Sequence, residues 1–170
     1  MRRSDEDEYR EYVVARMDRL RRTAYLLCHD WHTADDLVAV TIGKLYRNWS
    51  QAKAVDHLDA YVRTILLRSW LDERRRPWRR EHATDDLPDL PVEDRPDAVE
   101  RMTLLELLAS LTPRRRAAVV LRFYFDLSVD ETAETLGCSA GTVKSLTARG
   151  LEAMRARVGT PSVSRTGETI

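Results

Sequence analysis

The chain has little of what would point to covalent, redox or metal chemistry. Only two of its 170 residues are Cys, at positions 28 and 138. Two cysteines cannot form the disulfide framework of a small secreted fold, and both are read as small packing residues. No nucleotide-binding Gly loop and no nucleophile motif occurs among its six Gly. No apolar run reaches the length of a membrane span. The first residues are charged and polar, so no export signal is expected and a cytoplasmic protein is. No segment alternates with period two over a useful length, which predicts no sheet. Cys28, His29 and His32 are the sole metal-ligand candidates. They give two ligands on one helix face and no fourth ligand nearby, so no metal, no cofactor and no catalysis are expected.

Helical apolar stripes and charge are what the chain does have. Hydrophobic residues are 43% of it and charged residues 33%, enough apolar material to build cores and to exclude global disorder. The formal net charge of zero hides strong segregation. Residues 63–82 carry seven Arg against three acids. Residues 84–100 carry seven acids against Arg95 alone. Residues 139–157 carry Lys144, Arg149, Arg155 and Arg157 against Glu152. Two basic patches flanking an acidic strip suggest binding to a polyanion.

The acidic strip also divides the chain. Residues 84–96 hold three of the six Pro and no helical or strand period, so they read as a flexible linker. Residues 1–83 form the first domain and 97–158 the second, and 159–170 are a polar, patternless tail. The first domain reads as three helices. Tyr9, Val13, Met17, Leu20, Ala24 and Leu27 make the first stripe. Thr33 with Asp36 caps a second helix with Leu37, Val38, Thr41, Ile42, Leu45 and Trp49. A third starts near Leu58, carries Tyr61, Val62, Ile65 and Leu66, and stops before Pro77. The second domain reads as four helices. Val99, Met102, Leu105 and Leu108 line the first of these. Thr112 and Pro113 open the next as N-cap and first-turn Pro, with Ala117, Val120, Leu121 and Tyr124 on its inner side. The fold class is therefore all-α: two small helical domains joined by an acidic, Pro-rich linker.

Residues 127–149 are the most informative stretch. Ser128 is an N-cap, and Glu131 completes a capping box for a short helix over 129–136. Gly137 supplies a left-handed turn, and Ser139 caps the following helix. Ala133 permits a close helix crossing, with Leu136 and Val143 packed between. This is the spacing of a helix-turn-helix. Its second helix presents short hydroxyls and a Lys, which suits a DNA major groove.

Together these motifs resemble an extracytoplasmic-function sigma factor, the dissociable promoter-recognition subunit of bacterial RNA polymerase. Ala34-Asp35-Asp36-Leu37-Val38 looks like the start of the family's core-binding helix. Ala60-Tyr61-Val62-Arg63 with Asp72-Glu73-Arg74-Arg75-Arg76 looks like its promoter-melting helix. Residues 111–124 look like the entry to its second domain, and 126–145 like its helix-turn-helix. The resemblance implies three partners: core RNA polymerase, promoter DNA and an inhibitory anti-sigma protein. It places polymerase contacts at Asp35, Asp36, Leu37, Ala39 and Val40. Arg63, Arg68, Arg74, Arg75 and Arg76 would hold phosphates of the minus-ten element, and the flanking Trp70 and Trp78 either stack on unpaired bases or pack in the core. Residues 50–55 would receive an extruded base. Thr142, Lys144, Ser145, Arg149 and the cap Ser139 would face the minus-thirty-five duplex, with Arg114 and Arg116 positioning its backbone. Ala39 and Val40 stand where the family usually has Gln and Glu, and Leu146 stands where Arg or Gln is common. The latter suggests an altered base preference, since Leu can touch a thymine methyl but cannot hydrogen-bond a base edge. The alternative reading is a conventional dimeric helix-turn-helix regulator. It would need two related half-sites, where a sigma factor needs two unlike elements.

Overall fold

The computed structural model describes residues 2–75 and 103–159. Val99, Met102, Trp78, Arg76, the linker at 84–96 and the tail beyond Gly159 lie outside the described residues. Among those described, all regular structure is helical. The first block holds α1 (Arg3–Cys28), α2 (Trp31–Arg47), the single-turn α3 (Trp49–Ala52) and α4 (Leu58–Arg75). The second holds α5 (Leu104–Ala109), α6 (Pro113–Val119), α7 (Val129–Leu136) and α8 (Ala140–Val158). A π-helical turn, Val120–Tyr124, continues α6. No described helix is long and apolar enough to cross a membrane.

The first block closes where its stripes meet. Val13, Leu20, Ala24 and Leu27 of α1 are buried with Leu37, Val38, Thr41 and Leu45 of α2 and Val62, Leu66 and Leu67 of α4. Thr41 tolerates full burial because its hydroxyl donates to the Leu37 carbonyl at 2.8 Å. Polar ties fix the helices around this core. Tyr12 donates to Asp59 at 2.7 Å, Arg16 pairs with the same carboxylate at 3.1 Å, and Lys44 donates to Ser69 at 2.8 Å. The helix α2 begins earlier than its sequence suggested. Asp30 is the cap, accepting from the Thr33 amide at 2.8 Å and from the Thr33 hydroxyl at 2.7 Å. Thr33 is thus a donor within the first turn rather than the cap.

In the second block the local signals hold. Ser128 and Glu131 form the reciprocal capping box, Gly137 sits at φ 65°, and Ser139 accepts from the Thr142 amide. Thr112 precedes Pro113 at the start of α6. Thr103 and Glu106 form a second capping box, so α5 starts beyond Met102. Ala117, Val120 and Leu121 are buried as expected, but Tyr124 is 56% exposed. The π turn explains this. Its wider loop, closed by the Phe125 amide on the Val120 carbonyl at 3.1 Å, rotates Tyr124 out of the α-helical register.

Gly150 marks a close approach of α8 to α6. A Cβ there would sit 2.9 Å from Cγ2 of Val119, itself buried. Gly150→Ala gains about 1 kcal/mol of helix propensity but incurs about 1–3 kcal/mol of overpacking. The expected result is a net loss of about 1 kcal/mol in urea unfolding, where an exposed helical Gly would show a gain.

The two blocks are docked. Helix α1 packs against α5 and α6, and α4 packs against α6 and α7. One continuous hydrophobic cluster runs from Trp70 and Leu71 to Leu108, Leu111, Ala117 and Leu136. The two cysteines lie half-buried against it, Cys28 from the first block and Cys138 from the second.

Candidate nucleic-acid interface

The candidate duplex-facing surface is built on α8. Val143 and Gly150 point inward and are buried, which fixes the rotation of the helix. At 100° per residue, Gly141, Ser145 and Ala148 then form the centre of the outer face. Lys144 lies on one flank, and Thr142 and Arg149 lie on the other. Gly141, Thr142, Lys144, Ala148 and Arg149 are exposed and Ser145 is half-buried. Small side chains at the centre leave room for a base edge to approach the helix backbone, and the flanking cations are placed where a duplex would present phosphates. Ala148 shares this face although no sequence motif marks it; only the rotation of α8 does.

Not every expected residue lies on it. Ser139 is exposed, but its hydroxyl is engaged by the Thr142 amide at 3.1 Å and the Thr142 hydroxyl at 2.9 Å. Its role is to hold the helix start. Leu146 is half-buried against the core and so is not free to read a thymine methyl with its whole side chain. Arg114 is half-buried at the start of α6.

Arg116 is a correction. Its side chain does not reach out to a DNA backbone; the residue is 6% exposed. Its guanidinium donates to the carbonyls of Leu108 at 2.8 Å, Ala109 at 2.9 Å and Leu111 at 3.0 Å, and to Leu27 in the first block. Burial first, then the charge of Arg74, push its pKa down to about 10, so it remains charged at neutral pH. Helices α1 and α5 have no basic residue in their last turns, and Arg116 supplies the donors that their carbonyl ends lack.

Trp70 is a second correction. It is 2% exposed, with the guanidinium carbons of Arg74 and Arg116 at 5.8 and 5.6 Å from its ring. A base cannot stack on it in this form. Along α4, Arg75 is exposed and Arg74 half-buried. Arg63 lies over the Phe125 ring at 4.8 Å, and burial lowers its pKa. Arg68 donates to the carbonyls of Glu134 at 3.1 Å and Thr135 at 3.3 Å. The stretch 50–55 comprises the end of α3 and a turn, and Lys53 pairs there with Asp5 at 2.5 Å.

On α2 the expected polymerase contacts divide. Asp36, Ala39 and Val40 are exposed, Val40 at 44%. Asp35 is held by Arg21 of α1 through bonds of 2.6 and 3.1 Å, which keep its carboxyl below the usual range. Leu37 is 7% exposed and packs in the core beneath these residues. His32 is exposed and lies 3.8 Å from Asp36. Both ring nitrogens of His29 are buried without a hydrogen bond, and burial with the charges of Arg116 and Arg74 lowers its pKa to about 4. Such a ring stays neutral in a cationic field that repels a metal ion.

Comparison with known proteins fits this geometry. Residues 13–80 match the family described as Sigma-70 region 2, and residues 101–154 match Sigma-70, region 4. The RNA polymerase sigma-E factor of Streptomyces coelicolor is 36% identical over 149 residues, covering 87% of this chain and 84% of that protein. The chain belongs to the extracytoplasmic-function RNA polymerase sigma factors. The ECF RNA polymerase sigma factor SigE of Mycolicibacterium smegmatis is 33% identical over 85% of this sigma factor, though over only 59% of its own length. The fold is shared with the sigma factor RpoE of Bartonella quintana, solved in complex with the anti-sigma factor NepR. That match has a TM-score of 0.66 and 23% identity, and covers 90% of this chain and 99% of that one. In this sigma factor, α1 from Val13 onward and α2 to α4 lie in the region 2 match, and α5 to α7 with α8 as far as Met154 lie in the region 4 match.

Proposed function

We propose that this sigma factor binds core RNA polymerase through α2, recognises the minus-ten element through α4 and the minus-thirty-five duplex through α8, and is restrained by an inhibitory anti-sigma protein. The proposed division is residues 1–83 for polymerase and minus-ten contacts, 84–96 as joint, 97–158 for the duplex and 159–170 as tail. It acts in the cytoplasm, beside the polymerase, and catalyses no reaction of its own. The observation that supports this most is the outer face of α8: a flat centre of Gly141, Ser145 and Ala148 flanked by cations, on a helix fixed by two caps and a left-handed Gly137. Run-off transcription with purified core polymerase on a genomic promoter library tests it. Defined start sites that share two unlike upstream elements are expected. The absence of any start dependent on this protein, or a site made of two related half-sites, would overturn it.

Lys144 lies on the flank of α8, so its expected partner is a phosphate. Lys144→Ala should weaken all duplex sequences about equally and reduce the slope of log affinity against log salt by about 1. A loss confined to one base position would instead make it a base reader. Val40 stands with Ala39 on the exposed side of α2, where burial against polymerase would be apolar. Val40→Asp should weaken core binding by about 1 kcal/mol, since roughly half of the side chain remains to be covered. Helix content should be unchanged, and added salt should weaken the parent's binding only slightly. Titration of labelled protein with core polymerase at two salt concentrations checks this; parental affinity in the variant would remove this face from the contact.

A further inference from the structure

A small basic cleft lies between α1 and α4. Tyr12, Arg16 and Arg19 of α1 and Asp59 and Arg63 of α4 line it, together with Phe125 just after the π turn. Spacing brings these side chains together: positions 12, 16 and 19 recur at steps of three or four along α1, as 59 and 63 do along α4. Arg16 and Arg19 have no part in the proposed polymerase or duplex contacts. Within the lining, three guanidinium groups meet one carboxylate, an excess of two positive charges. That carboxylate is already engaged, because Asp59 accepts from the Tyr12 hydroxyl at 2.7 Å and from Arg16 Nε at 3.1 Å. Arg19 comes only within 3.9 Å of it, and the Arg19 side chain is 63% exposed. Arg63 Nε is left without an acceptor: it is buried and no protein atom bonds to it. The Arg63 guanidinium lies 4.8 Å from the centre of the Phe125 ring. Glu131 of α7 attracts Arg63, but its carboxylate is exposed and accepts from the Ser128 amide at 2.7 Å. Arg19 and Arg63 meanwhile repel one another. A buried charged donor without an acceptor is costly to a fold. An anion between Arg19 and Arg63 supplies the acceptor and offsets the repulsion.

We infer that this cleft is a binding site for the phosphate monoester of a small molecule, held by Arg19 and Arg63 with Arg16 beside them. Charge, shape and size together select that ligand class. A phosphate monoester carries about −1.5 to −2 at neutral pH, which matches the excess in the lining. A carboxylate, or a diester of a nucleic-acid backbone, brings a single negative charge. Flat guanidinium forks pair with phosphate oxygens through parallel hydrogen bonds, and a guanidinium stacked on a ring keeps its N–H edge available for them. The cleft encloses about 30 Å³, which is room for roughly two water molecules. It therefore admits the inner oxygens of one phosphate and leaves the rest of the ligand outside.

Thermal unfolding of the intact chain, with inorganic phosphate as the probe and sodium chloride at equal ionic strength as the reference, tests the site. Phosphate at roughly ten times its half-saturating concentration should raise Tm by about 3–6 °C over chloride. Arg19→Ala removes an exposed side chain, so the fold is retained, and it should raise the half-saturating concentration about tenfold. Arg63→Gln should lose the response altogether; the Arg19 variant decides the matter if Arg63→Gln unfolds. The same Tm in phosphate and in chloride would overturn the site. So would an equal response in the parent and in Arg19→Ala, because a general salting effect does not depend on one side chain. Acetate as effective as phosphate would overturn the ligand class. A second arm adds a short single strand with a 5′-hydroxyl end, which carries diesters alone. If it competes with phosphate in the parent and not in Arg19→Ala, the monoester assignment falls and the cleft belongs to DNA; binding of phosphate undisturbed by the strand supports a small-molecule ligand. No measurement here uses polymerase, so failure of the site leaves the proposed function standing, and a chain inert toward polymerase leaves the phosphate result standing.

Discussion

Arg116→Ala is expected to destabilise the protein by about 3 kcal/mol. The guanidinium is charged and buried, and it donates to four carbonyls from two chain segments. Hydrogen bonds from a charged donor are worth about 1.5–3 kcal/mol each, and a buried acceptor left without a donor costs about 1–3 kcal/mol. Removing the desolvated charge returns part of this, which keeps the net figure well below the sum. Arg116→Lys should recover little. A single ammonium on a flexible stem cannot reproduce a planar fork that spans the Leu27, Leu108, Ala109 and Leu111 carbonyls. Urea unfolding of both variants checks this. A residue that only positioned DNA would give two variants of parental stability, with Lys preserving duplex binding.

Trp70→Ala is expected to cost about 3–5 kcal/mol, the range for truncating a buried aromatic. The ring is 2% exposed and sits in the cluster that joins the two blocks. Its indole nitrogen is buried without a hydrogen bond, so replacing the indole by an all-carbon ring sacrifices no polar contact. Trp70→Phe should therefore lose much less than Trp70→Ala, chiefly through the smaller volume. Thermal unfolding of both, with the affinity for a fixed single-stranded oligonucleotide, separates packing from stacking. Comparable stability in parent and Ala variant, with weakened oligonucleotide binding, would return Trp70 to the DNA face.

Both residues show where reading along the chain stops. Arg116 follows Arg114 and Arg115, and three consecutive cations have the same local appearance whether they face DNA or the interior. What turns Arg116 inward is the convergence of two helix ends from distant parts of the chain, and no local pattern records it. Trp70 stands in a basic helix, where an aromatic suits stacking equally well. Its burial depends on the second block lying against α4. Leu37 shows the reverse. Its helical spacing with Thr41 and Leu45 already placed it on the core side of α2, although the motif it belongs to suggested a contact residue.

By itself, the sequence determined the local structure of this protein. Capping boxes, the left-handed Gly137, the first-turn Pro113 and the period of the apolar stripes all act within four or five residues. Such short-range chemistry settles helix boundaries, faces and the helix-turn-helix without reference to anything remote. Where two local rules competed, as between Asp30 and Thr33 for the start of α2, the choice turned on which oxygen met the free amides. Only the tertiary structure decided what each arginine does. The electrostatics of a guanidinium are set by the groups that converge on it, and across the block boundary those groups lie 66 to 89 residues away in the chain.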